Sequence, residues 1–209
     1  MRFTVKTAIM SGLALAICPA ITGAGEPGHE EDTVIGHTVS GQLAVVVNSP
    51  GPNELPPVSG LLNGWAADEP GLKSPDGDDP TNDFFTLGAG AIINLQLMSI
   101  DPALNVWSPG FVTRLNMPGN SLVIGGAEFD THMTYHIDVD DPAFDPGQDV
   151  YSATFRLFDL GTTGYVPSEP FSLSFTPVPE PATIGLFGVV TLGLLVNRLR
   201  SKRRARRGS

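Results

Sequence analysis

An all-β domain, a β-sandwich of jelly-roll or Ig-like type, is predicted by three observations. Several short segments alternate apolar and polar residues with period two. Glycine and proline are dense, with 24 and 19 in 209 residues. No amphipathic helix appears between the chain ends. Residues 42–48 form the first expected strand, Gln-Leu-Ala-Val-Val-Val-Asn. Residues 49–80, rich in proline and glycine but carrying Leu61, Leu62 and Trp65, read as a packed irregular loop. Residues 91–100 set Ile93, Leu95 and Leu97 against Asn94, Gln96 and Met98, the pattern of a half-buried strand. Residues 111–115 and 122–124 are shorter strand candidates. In residues 131–140, Met133, Tyr135, Ile137 and Val139 share one face, and His132, Thr134, His136, Asp138 and Asp140 share the other. Residues 150–158 alternate Tyr151, Ala153, Phe155 and Leu157 with Ser152, Thr154 and Arg156; residues 171–175 alternate Phe171, Leu173 and Phe175 with serines. Such alternation places one face of each strand in a core.

Different chemistry brackets this domain. Residues 1–24 have the layout of a cleavable signal helix: basic Arg2 and Lys6, an apolar run over 8–17, then small residues, with cleavage expected after Ala24 or Ala20. Residues 25–176 form the expected ectodomain, opening on a polar, flexible stretch at 26–34. The tail, 177–209, has three parts. Val178-Pro179-Glu180-Pro181 is rigid and extended. Residues 182–196 carry no charge and continue to Asn197 as an expected transmembrane helix. At 1.5 Å per residue this run spans about 22–23 Å, short of a hydrocarbon core of about 30 Å. Seven basic residues follow within 197–207, and they orient the tail with its basic end in the cytoplasm and the domain outside.

Taken together, Pro179, Glu180 and Pro181, the short Gly-containing apolar run and the cluster containing Arg198, Arg200, Arg203 and Arg204 resemble the PEP-CTERM sorting signal of exopolysaccharide-producing Gram-negative bacteria. The resemblance implies a membrane-embedded protease, exosortase, as partner, with recognition at the Pro-Glu-Pro motif. It also implies an inner-membrane intermediate, removal of the tail and delivery to the cell envelope or extracellular matrix, with exopolysaccharide as a candidate partner. It leaves the activity of the central domain open.

Charge follows the same partition. Against 22 acids, the chain between Glu26 and Pro181 has only the bases Lys73, Arg114 and Arg156, a net charge of −19. An acidic body repels nucleic acid and favours cations or basic partners. Cys18 is the only cysteine and lies within the expected signal, so no disulfide framework or thiolate nucleophile belongs to the domain. Nucleophile-elbow, phosphate-loop and His-Glu-x-x-His motifs are lacking. No catalytic residue is assigned, and a non-enzymatic surface protein is expected; a surface polysaccharide hydrolase or lyase is the alternative on the enzyme side.

A second alternative is a metal-binding protein of the periplasm or surface. His132, His136, Asp138 and Asp140 share a strand face, with His29 and His37 as candidate remaining ligands. Imidazole with carboxylate suits zinc. On a regular strand His132 and His136 stand about 13 Å apart, whereas His136 and Asp138 are adjacent. The arrangement loosely resembles PEP-CTERM proteins regulated with zinc supply, in the run Gly28-His29-Glu30-Glu31-Asp32 and in His132-x-x-x-His136-x-Asp138. Two aspartate groups, one of Asp76, Asp78, Asp79 and Asp83 and one of Asp138, Asp140, Asp141 and Asp145, suggest calcium without matching EF-hand spacing.

Overall fold

A computed structural model describes residues 31–49 and 51–178. The expected signal at 1–24, His29, the Pro179-Glu180-Pro181 motif, the helix at 182–197 and the terminal arginines lie outside the described residues. The described chain is all-β. Its strands are β1 (Thr33–His37), β2 (Leu43–Val46), β3 (Asn53–Leu55), β4 (Pro57–Val58), β5 (Gly64–Ala67), β6 (Leu72–Lys73), β7 (Ile93–Ile100), β8 (Leu104–Trp107), β9 (Arg114–Leu115), β10 (Ser121–Gly125), β11 (Asp130–Thr131), β12 (Thr134–Asp138), β13 (Tyr151–Asp159) and β14 (Phe171–Pro177). Among the described residues, no helix is long and apolar enough to cross a membrane.

The strands form three sheets, ordered β11-β6-β1-β2, β10-β7-β13-β14-β3 and β4-β5-β12-β8-β9. The long strands obey their alternation. Tyr151, Ala153, Phe155 and Leu157 of β13 are buried, as are Ile93, Leu95 and Leu97 of β7 and Leu173 and Phe175 of β14. On the other face the hydroxyls of Thr154 and Ser172 meet at 2.8 Å across the β13–β14 pair. The two five-stranded sheets join through aromatic packing: the rings of Tyr135 on β12 and Phe175 on β14 stack with centroids 4.3 Å apart.

Several boundaries differ from the sequence reading. The polar stretch at 26–34 already contains the start of β1, whose Thr33 is fully buried. The segment expected as irregular loop at 49–80 contributes β3, β4, β5 and β6. Strands of two to four residues show no detectable period, so their pairing partners define them. β8 was not expected at all. The strand expected over 131–140 divides into β11 and β12, which lie in different sheets.

The middle of β12 is buried on both faces, since Tyr135, His136 and Ile137 are consecutive and all buried. His136 is 3% exposed, which removes it from the solvated face that alternation predicts. Close approach of β5 to β12 depends on Gly64. It has φ +131°, and a Cβ there would stand 2.1 Å from the carbonyl oxygen of Ile137, so no other residue type fits without moving the sheet.

Candidate functional site

The four-stranded sheet creates the principal constellation through its register. β6 runs parallel to β1, and β11 runs antiparallel to β6. Thr33, Leu72 and Thr131 consequently lie side by side in one row. One residue further along the ladder, past the starts of β1 and β6 and the end of β11, come Asp32, Gly71 and His132. The Thr33 amide donates to the Gly71 carbonyl at 2.9 Å and ties this end of the ladder together.

Gly71 sits between the other two. A Cβ on it would lie 2.7 Å from Asp32 Oδ1 and 2.8 Å from His132 Cε1. Its missing side chain is the space in which the carboxylate and imidazole meet. The Gly71 amide donates to Asp32 Oδ1 at 3.0 Å and to Glu69 Oε2 at 2.9 Å, pinning two carboxylates with one N–H. His132 completes the group: Nδ1 lies 3.3 Å from Glu69 Oε1, and Nε2 lies 3.2 Å from Asp130 Oδ1. Ligand atoms of Asp32, Glu69 and His132 all fall within 4.8 Å of one another. Asp32 is 1% exposed, while Glu69 and His132 are half-buried and reach solvent.

The local electrostatics follow from concentrating acids here. Burial pushes the Glu69 carboxyl above its usual range, and nearby Asp32 adds to that; the Gly71 amide and His132 oppose it. For His132, partial burial works against the charged ring. Glu69, the Asp68 carbonyl, Asp130 and Asp32 outweigh it and hold the imidazole above its ordinary value. Beneath the group, the fully buried Tyr135 hydroxyl donates to the Pro70 carbonyl at 3.1 Å. Its phenol is pushed far up by burial and then by the negative charges of Glu69 and Asp32.

The other candidate ligands from the sequence are placed elsewhere. His136 lies within the second five-stranded sheet, where Nε2 donates to the Asn63 carbonyl at 3.1 Å and Nδ1 is buried without a hydrogen-bond partner. Burial lowers its pKa and favours the neutral ring. Asp138 Oδ1 accepts from the Asp140 amide, and Asp140 Oδ2 accepts from the Asn63 side chain at 2.8 Å. His37 stacks on Tyr165 and Phe85, and its Nδ1 meets the Thr38 carbonyl at 2.7 Å. His132 is therefore separated from His136 by the break between β11 and β12.

Most aspartates of the two expected groups accept from backbone amides of loops and turns, while Asp76 pairs with Lys73 at 3.3 Å. Asp78 accepts from the Thr86 amide and hydroxyl, Asp79 from Thr81 and Asn82, and Asp83 from the Val39 amide. Asp141 and Asp145 accept from the amides of Ala143 and Gly147. Of the acids grouped with His132, Asp32 figured in the sequence only as the last residue of the run at 28–32 and not as a ligand, and Glu69 was missed altogether.

A cleft of about 770 Å³ opens beside the same sheet. Val34, Val46 and Phe84 supply its apolar lining, and Asp76, Asp79 and Asn82 supply polar groups. Val34 pairs with both Val46 and Lys73, so these three side chains project from one face of the sheet.

Comparison with known proteins assigns the tail. The PEP-CTERM protein-sorting motif matches residues 177–204. The chain thus carries the sorting signal of an exosortase substrate, exported through the membrane to the envelope or extracellular space. No curated protein and no solved structure matches the chain.

Proposed function

We propose that this exosortase-sorted chain delivers a non-enzymatic binding domain to the cell surface or extracellular matrix, where its β-sandwich holds a hydroxyl-rich polymer. The observation carrying this reading is the continuity between domain and signal. β14 ends at Pro177, where the sorting motif begins. Residues 177–204, which begin at the end of the last strand, carry the sorting motif. A sandwich-type packing is supported by the Tyr135–Phe175 stack between two five-stranded sheets.

The cleft beside the four-stranded sheet suits such a polymer. Phe84 and the two valines offer apolar surface to a sugar ring, and Asp76, Asp79 and Asn82 offer acceptors and donors to its hydroxyls. The charge of the body, three bases against 22 acids, favours a neutral polymer over an anionic one.

Replacing Pro179, Glu180 and Pro181 together by alanine in an exosortase-bearing host is expected to trap the chain in the membrane fraction with its tail attached. Immunoblots of fractions check this; normal release of the variant defeats the sorting half of the reading. For the binding half, Phe84→Ala should weaken co-sedimentation with exopolysaccharide from that host about tenfold, equivalent to about 1.4 kcal/mol. Equal sedimentation of both proteins, or depolymerisation of the polymer by the parent, argues against this reading.

A further inference from the structure

We propose that Asp32, Glu69 and His132 form a zinc site at the end of the four-stranded sheet, with Asp130 orienting the imidazole from outside the coordination shell. The donor set is one imidazole nitrogen and two carboxylates, which suits a transition ion better than calcium with its six to eight oxygen ligands. Ligands about 2.0–2.2 Å from a tetrahedral zinc stand about 3.3–3.6 Å apart. The 3.3 Å between His132 Nδ1 and Glu69 Oε1 matches one edge of that tetrahedron. Half-exposure of Glu69 and His132 leaves room for a water as the fourth ligand.

The surroundings supply what a zinc site needs. The Gly71 amide donates to one oxygen of Asp32 and one of Glu69 and so holds both carboxylates beside the imidazole. His132 Nδ1 faces Glu69 Oε1 and the Asp68 carbonyl, each at 3.3 Å, so zinc would bind there by displacing the Nδ1 proton, while Asp130 Oδ1, 3.2 Å from Nε2, holds the remaining ring proton. Two close carboxylates, one of them buried, repel each other, and a divalent cation relieves that repulsion. The space over Gly71, which any side chain would fill, lies between two of the ligands.

The test uses the full chain, purified, stripped with a chelator and titrated with zinc against a chromophoric competitor at neutral pH. One zinc per chain is expected. His132→Gln and Glu69→Gln should each abolish stoichiometric binding while circular dichroism stays that of a β protein. Asp130→Asn should weaken binding about 10–100-fold. His29→Gln, His37→Gln and His136→Gln should leave one zinc bound. A measurement on the unaltered chain guards against variants that do not fold: with nitrogen-labelled histidine, zinc should shift the resonances of one imidazole, assigned to His132. Absence of stoichiometric zinc in the parent, retention of zinc by folded His132→Gln, or a shift confined to other histidines overturns the site. The first of these leaves His132 as an imidazolium paired with Glu69 and Asp130.

Discussion

Phe175→Ala is expected to lower the free energy of unfolding by about 3–5 kcal/mol, the cost of a large buried aromatic together with the cavity it leaves. Phe175 is fully buried in the middle of β14. It faces Tyr151 across the β13–β14 pair and stacks on Tyr135 of the second five-stranded sheet. One truncation therefore removes contacts within a sheet and between sheets. Urea unfolding followed by tryptophan fluorescence and circular dichroism measures the change. Phe175→Leu, which refills much of the volume, should cost well under half as much. A loss below about 1 kcal/mol for the alanine variant would mean that the two sheets do not depend on this contact.

Asp159→Ala is expected to cost about 2 kcal/mol, a figure reduced for the partial exposure of the side chain. Its carboxylate accepts from the amides of Ile92, Gly161 and Gly164 and from the Thr163 hydroxyl. It thereby pins the turn after β13 to the chain entering β7. Partial burial alone would raise its pKa; the hydrogen bonds from Thr163, Ile92, Gly161 and Gly164 outweigh that and lower it. Because the folded pKa lies below the unfolded one, this stabilisation is complete above the unfolded value of about 3.9 and disappears as pH falls through the folded pKa. The parent should thus lose more stability than Asp159→Ala between about pH 5 and strongly acidic pH. Parallel urea titrations would show this as convergence of the two proteins. A constant gap at every pH would assign the effect to packing.

The long strands were legible because their pattern is local. Tyr151, Ala153, Phe155 and Leu157 point one way simply by alternating, and a strand buried on one face must alternate. The short strands β3 to β6 were hidden, since two to four residues rich in proline and glycine carry no period of their own. His136 misled for a related reason. Alternation identifies which residues share a face, but not whether the second face is covered; at His136 it is, with the Asn63 carbonyl against the ring, and only the folded chain reveals that.

The address was readable without a fold. A Pro-Glu-Pro motif, an uncharged run and an arginine cluster act through their order along the chain, and the separation of acids from bases is a matter of counting. His132 was recognisable as an imidazole among carboxylates, but its companions were not. Asp32 and the segment from Glu69 to Gly71 are both distant in sequence from His132 and from each other, and no local pattern joins them. They meet because β6 pairs parallel with β1 and antiparallel with β11, which brings two strand beginnings and one strand end to the same edge. Long-range register of this kind is set by burial of Thr33, Leu72 and their neighbours against the rest of the protein, a balance that exists only once the chain has folded.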